Sequence, residues 1–279
     1  MLFDQDVARN AHFEFGANWQ SFLSVLDDKR IAEAERSLKT MLSLETLAGK
    51  TFLDIGSGSG LFSLAAMKLN AKCVHSFDYD LESVACTQEL KRSYFSSAQH
   101  WAIEQGSVLD ADYLHTLGQW DIVYSWGVLH HTGKMWQALE NVSPLVSDSG
   151  LLFISIYNDQ GRQSQFWKQI KAFYNKGFLG KMSILGVFIP YFVMRGLTVD
   201  AIRLKQPFLR YEEYKRSRGM SMMHDWVDWL GGYPFEVAKP EAIFDFCRAR
   251  GFLLERLKTC GGGLGCNEFV FRKGYPERG

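Results

Sequence analysis

The sequence predicts an α/β fold: a doubly wound sheet of seven strands, mostly parallel, that finishes in an antiparallel hairpin. Three observations predict it. Residues 51–60, TFLDIGSGSG, are an apolar run ending in an acid, a glycine at every second position, and then the apolar stretch LFSLAAMKL. Beyond it, apolar runs of strand length alternate with stretches of helix length, the rhythm of a parallel sheet with helices on both faces. The last two apolar runs, FLLERLKTC and CNEFVFRK, are separated only by GGGLG, a link too short for a parallel crossover.

In chain order, residues 28–43 set Ile31, Leu38, Met41 and Leu42 on one face at helical spacing. The aromatic-rich segment before them is expected to be helical after Asn18, so residues 1–50 form an N-terminal cap. Strand 51–55 leads to helix 61–69, strand 73–78 to helix 83–94, and strand 101–105 to the turn-rich GSVLDAD. Strand 121–126 leads to helix 135–146 and then to a fifth strand, 151–157. From 159 to 232 the rhythm breaks, which predicts a helical insertion around YEEYKRSRGM. It returns with PEAIFDFCRARG (240–251), a helix closed by glycine, and the final hairpin.

Composition narrows the function. Lys plus Arg equals Asp plus Glu at 31 each, so no global charge favours nucleic acid, and none is expected as a partner. Five cysteines at irregular spacing, and a start without the basic end and apolar run of an export signal, predict reduced thiols in the cytoplasm. Residues 182–194, MSILGVFIPYFVM, carry no charge but number only 13. A spanning helix needs about 20 apolar residues, so a core or interfacial segment is expected.

The glycines of 56–60 suggest a ligand lying against bare backbone, which a Cβ would push away. The spacing departs from the dinucleotide fingerprint GxGxxG, because Leu61 follows GxGxG. Asp78, at the end of the second strand, suits a pair of ribose hydroxyls, while Asp80 suits the cap of the next helix.

With DIGSGSG after strand one, Asp78 closing strand two, DIVYSWGVLHH at strand four and the terminal hairpin, the chain resembles the class I methyltransferases that use S-adenosylmethionine. The resemblance covers roughly 50–158 and 233–273 and looks nearest to small-molecule and quinol-ring methylases. It implies a Rossmann-like cofactor domain of residues 51–158 and 233–279, with 159–232 inserted as a substrate lid. It further implies that the cofactor lies across Asp54, Gly56, Ser57, Gly58 and Gly60. Asp78 and Tyr79 meet the ribose, Ser107, Val108 and Leu109 border the adenine, and Trp126 with Gly127 lies beneath the sulfonium. Asp54 either holds the turn or receives the ligand's ammonium. Trp19, Phe13 and Phe15 either close over the ligand or cap a helix.

In the quinol methylases a pattern like ExxEH links carboxylates to a metal; here Gly127, His130 and His131 occupy those positions, and no metal is expected. One of the histidines is a candidate general base, with Tyr157, Asn158 and His224 as candidates to shape the acceptor pocket. Cys260 and Cys266 match no zinc spacing. The expected activity is methyl transfer to an oxygen or sulfur of a small molecule, apolar or lipid-associated acceptors included. Residues 182–194 then serve as a lid or as a peripheral membrane contact. The rivals are a nicotinamide-dependent oxidoreductase and a non-catalytic relative that only binds the cofactor.

Overall fold

Seven strands and the helices between them follow the order of the apolar runs. The computed structural model describes residue 23, residues 26–202 and residues 222–274, without the side chains of 222–225 and 228. Helix α1 (Asp28–Leu42) is capped by Asp27, whose side chain accepts from the Arg30 N–H, and it buries Ile31, Leu38, Met41 and Leu42. There follow β1 (Thr51–Ile55), α2 (Leu61–Lys68), β2 (Cys73–Asp78), α3 (Leu81–Tyr94), β3 (Trp101–Gln105), α4 (Ala111–Leu117) and β4 (Trp120–Trp126). A 3₁₀ turn (Leu129–His131) leads to α5 (Met135–Val142), and a second (Ser143–Leu145) leads to β5 (Val146–Tyr157). Next come α6 (Arg162–Tyr174), α7 (Phe178–Ile202), α8 (Met222–Gly231), α9 (Pro240–Arg248), β6 (Phe252–Lys258) and β7 (Cys266–Lys273).

The sheet runs β3-β2-β1-β4-β5-β7-β6. Neighbours from β3 to β5 pair in parallel, with Phe52 of β1 opposite both Val74 and Ile122. Only β7 runs against the rest, setting Cys266 opposite Tyr157 of β5 and Lys273 opposite Phe252 of β6. Because β2 and β3 extend one way from β1 while β4 and β5 extend the other, the switch point lies at the carboxyl ends of β1 and β4. An open α/β sheet receives its ligand there.

Each sheet face carries its own core. Leu53, Ile55, Phe77, Val123, Leu139 and Phe269 fill one side. Phe52, Leu64, Val74, Trp101, Tyr124 and Phe153 fill the other, which α1 also covers through Leu38. Strand β5 is buried on both faces from Gly150 to Ile156, hence its continuous apolar run.

Four boundaries differ from expectation. Helix α4 stands where only a turn was read: Asp110 caps it through the Tyr113 N–H, and seven residues with Leu114 alone buried leave too little periodicity to see. The helix read as 135–146 stops at Val142, where Pro144 follows in a 3₁₀ turn and β5 begins early at Val146. The helix read as 240–251 ends at Arg248.

The fourth difference is the largest. The charge-free run 182–194 is the middle of a 25-residue helix that continues through Pro190. Lys181 and Arg195 bound the apolar run but are good helix formers, so they do not end the helix. Among the described residues it is the one helix long and apolar enough to cross a membrane, although only 11% of its most apolar window is buried. It packs on α6 and α8 through a small cluster of Tyr174, Ile184 and Leu230 with Trp167, Phe188 and Trp229 around them.

Candidate active site

The turn after β1 is left-handed at three positions, with φ of 75°, 53° and 79° at Gly56, Gly58 and Gly60. Only glycine takes such values without strain. Amide groups of Gly56 and Ser57 both donate to the Phe77 carbonyl, at 2.8 and 3.1 Å, which lashes the turn to β2. A Cβ on Gly56 would lie 2.4 Å from a Val128 methyl carbon, and one on Gly60 would lie 2.8 Å from the Thr87 Cα. At these two positions the chain's own packing already requires glycine. Ser57 Oγ meets Thr87 Oγ1 at 3.0 Å.

Asp78 stands at the end of β2 and reaches over the turn. Its Oδ2 accepts from the Gly58 N–H and its Oδ1 from the Asp80 N–H, both at 2.9 Å. One bond per oxygen leaves further acceptor capacity. Burial pushes this carboxyl up to about 6, against the pull of the two amide bonds. Asp80 caps α3 through the Glu82 N–H. Beside Asp78, Gln105 Nε2 holds the Tyr79 carbonyl and the Gly106 N–H holds that of Asp78, so the loop Ser107–Val108–Leu109 starts alongside the carboxylate. Tyr79 is half exposed, and Trp126, closing β4, is 44% exposed. Gly127 follows at φ 78°, with nothing among the described residues within 4 Å of where its Cβ would stand. That bare, open backbone next to an exposed indole is a cradle a side chain would fill, and it suits a nucleoside held by Asp78.

Residues 53–152, which contain the glycine turn, Asp78, Trp126 and both histidines, match the family described as "Methyltransferase domain". Over these residues the chain carries a methyltransferase domain. Among curated proteins, the ribosomal protein L11 methyltransferase of Bacillus velezensis is 23% identical over 172 residues, covering 52% of this chain and 55% of that protein. The Enterococcus faecalis protein of the same name is 44% identical over 52 residues, covering 18% of this chain and 16% of its own length. The chain thus spans about half or less of the curated relatives it matches. Among solved structures, the magnesium protoporphyrin IX methyltransferase of Synechocystis PCC 6803 with bound S-adenosylhomocysteine aligns with a TM-score of 0.53 at 13% identity, over 92% of this chain and 94% of that one. This last likeness is one of fold.

Within the methyltransferase domain, Asp54 lies buried near the carboxyl end of β1. It is 2% exposed and accepts from the Ser63 hydroxyl. Ser63 meets Ser76 Oγ at 2.7 Å, and Trp101 Nε1 donates to Ser76 Oγ at 2.9 Å. Of the two roles open to Asp54, this geometry supports holding the turn. Burial raises its carboxyl to about 7, with the Asp78 charge adding to the rise and the Ser63 bond opposing it.

A second cluster gathers beyond β4. His130 is fully buried, and the Ser155 backbone is the neighbour that favours its charged form. Burial, and then the neighbouring His131, hold it well below the usual imidazole range, so it is neutral. Its ring lies 4.6 Å from that of His131 and 4.3 Å from that of Tyr157. His131 Nδ1 sits 2.6 Å from the Pro234 carbonyl. A carbonyl only accepts, so the neutral tautomer carries its proton on Nδ1 and its lone pair on Nε2. Tyr157 also meets Phe235 at 5.1 Å and Trp229 at 5.9 Å. Asn158, next in the chain, donates to the Gly263 carbonyl and accepts from Asn267, which ties it to the hairpin loop. Cys260 and Cys266 are free thiols at the two ends of that loop.

Sequence reasoning missed Lys171, which is 1% exposed on α6. Its Nζ donates to the Trp229 carbonyl and lies 4.2 Å from the Trp229 ring and 4.9 Å from that of Phe235. A lysine on a polar helix reads as solvent-facing, and no local signal marks it. Glu236 was missed too; it caps α5 by accepting from the Met135 N–H at 3.0 Å. The side chain of His224 and residues Phe13, Phe15 and Trp19 lie outside the described residues.

Proposed function

We propose that the protein transfers the methyl group of S-adenosylmethionine to an oxygen or sulfur of a small molecule, with His131 as the base. The observation that carries this is a shared strand. Trp126 and Gly127 end β4 beside the cofactor cradle, and the oriented imidazole of His131 follows four residues later in the same loop. S-adenosylmethionine supplies a methyl on a positively charged sulfur that is already a good leaving group. The chain's own work is therefore alignment and proton removal, of which alignment can contribute several kcal/mol, up to roughly 7–11 in ideal geometry.

In this reading Asp78 accepts the ribose hydroxyls, and Tyr79 with Ser107, Val108 and Leu109 borders the adenine. Trp126 presents its ring toward the sulfonium, an attraction of about 0.5–2 kcal/mol. His131 takes the acceptor's proton on Nε2. The resulting imidazolium keeps its Nδ1–H on the Pro234 carbonyl, so the ring need not turn. Tyr157, Trp229 and Phe235 wall the acceptor from water, and neutral His130 adds no competing charge. The cytoplasm is the proposed compartment, on the odd and irregular cysteine count.

A second reading, a protein acceptor, is favoured by the names of the curated relatives. Titration with S-adenosylhomocysteine followed by incubation of extract with label-bearing methyl donor separates them. Small-molecule fractions are expected to take the label, and label in protein would favour the second reading. If S-adenosylhomocysteine does not bind, or binds Asp78→Ala as well as wild type, both readings fall.

A further inference from the structure

Helix α7 presents two apolar sides. One packs on α6 and α8 through Ile184, Phe188 and Phe192. The other repeats at three and four residues through Met182, Gly186, Val187, Pro190, Tyr191 and Met194, all exposed. Phe178, Leu179 and Ile202 extend the exposed apolar surface to both ends of the helix. A groove of about 390 Å³ opens on this side, lined by Phe166 and Trp167 of α6 and by Val187, Phe188 and Tyr191 of α7.

Charge on this surface is one-sided. In a chain with 31 charges of each sign, residues 160–199 contain no Asp or Glu, yet they hold Arg162, Lys168, Lys171, Lys176, Lys181 and Arg195. All but Lys171 are exposed. An apolar helix pair whose exposed charges between residues 160 and 199 are all cationic fits one partner chemistry closely: acyl chains beneath anionic headgroups.

We infer that α6 and α7 seat the protein on a membrane carrying anionic lipids, with α7 lying in the plane of the interface. A spanning pose would strip α7 from its packing on α6 and α8, or carry the cations of α6 into hydrocarbon. The seat also connects with the histidines. Ring contacts run from Phe188 to Trp167 at 5.3 Å, to Trp229 at 5.6 Å, to Tyr157 at 5.9 Å and on to His130 at 4.3 Å. Packed rings thus join the seat to the histidine cluster. The seat itself does not depend on the methyl-transfer reading.

Cosedimentation of the full chain with vesicles tests it, using pure phosphatidylcholine and an equal mixture with phosphatidylglycerol. Binding to the mixed vesicles is expected to be at least about tenfold tighter, to weaken with salt and to be reversed by alkaline wash. The double variant Val187→Asp, Met194→Asp should lose about tenfold or more while keeping wild-type melting and S-adenosylhomocysteine binding. Four outcomes overturn the inference: no binding by wild type to either vesicle, equal binding by the variant, a wild-type dimer in sedimentation that the variant abolishes, or retention after alkaline wash. A fall in the variant's melting temperature without vesicles would also overturn it, because another part of the chain would then cover this face. Wild type that binds S-adenosylhomocysteine but no vesicle sinks the seat and leaves the methyltransferase reading standing.

Discussion

In the proposed reading Asp78 is the residue on which cofactor recognition turns, and its environment makes that recognition depend on pH. Ribose hydroxyls donate to an ionised carboxylate, and burial has raised this one to about 6. Affinity for S-adenosylhomocysteine should therefore be flat above pH 7 and fall as pH drops through 6, by about tenfold per unit once protonation dominates. Calorimetric titration from pH 5 to 8 checks this, and Asp78→Asn should remove the slope together with most of the affinity. The glycines offer a second test, because two of them are glycine for different reasons. Gly56→Ala drives a methyl into Val128 at φ 75° and should cost about 2–4 kcal/mol of stability. Gly127→Ala meets open space, so it should cost only about 1–2 kcal/mol from its positive φ. It should nonetheless weaken S-adenosylhomocysteine by about tenfold or more, since the new methyl stands in the cradle. Melting curves paired with titrations separate the two. A Gly127→Ala protein that binds normally would mean the cofactor lies elsewhere.

Elements differ in how plainly the sequence announces them, and the site inherits those differences. Strands β1, β2, β3 and β7 stand where their apolar runs put them, from β1, buried at four of its five positions, to the edge strand β3, which buries only Trp101. The glycine turn and the acid at the end of β2, proposed to hold the cofactor, were legible because both are consequences of local chain geometry. The acceptor side was half legible. His130, His131 and Tyr157 lie at or shortly after strand ends and stand out in the sequence, but Lys171, and the Trp229 and Phe235 rings that pack on Tyr157, come from α6, α8 and the loop after it. What brings these elements together is tertiary packing, which no periodicity records. Lys171 is the sharpest case, a cation whose partners lie about sixty positions away. Lys171→Met keeps the aliphatic stem but leaves the Trp229 carbonyl without this donor. The expected loss is about 1–3 kcal/mol, with faster hydrogen exchange in α8. In catalysis, His131→Ala should lower kcat by about 10²–10⁴ if the acceptor must lose a proton, with unchanged S-adenosylhomocysteine affinity. A rate unchanged by the substitution would show that the acceptor ionises without help.

At the scale of the whole molecule, a line of polar groups crosses the core that the cofactor turn rests on. Trp101 of β3 donates to Ser76 of β2, the serine hydroxyls of β2 and α2 meet, and Ser63 of α2 donates to Asp54 of β1. Three strands and a helix are thereby joined under the glycine turn, and the line ends in a carboxyl that burial has raised to about 7. The sign of the consequence follows from linkage. A carboxyl held above its unfolded value near 4 binds its proton more tightly in the folded chain. Its contribution to stability is therefore complete below pH 4 and is lost as pH rises through 7. Asp54→Asn keeps the shape and an acceptor for Ser63 but cannot ionise. The melting temperature of the variant relative to wild type should thus climb between pH 5 and 8. A gain of a few kcal/mol at most corresponds to several degrees in a chain of this size. His130 works in the opposite direction, since its buried neutral ring resists protonation and destabilises the fold as pH falls below about 6.5. His130→Phe should then help on the acid side, and Asp54→Asn on the alkaline side. Were the Asp54→Asn difference flat across this range, Asp54 would have to ionise as it does in water, and the line beneath the turn would not hold a proton.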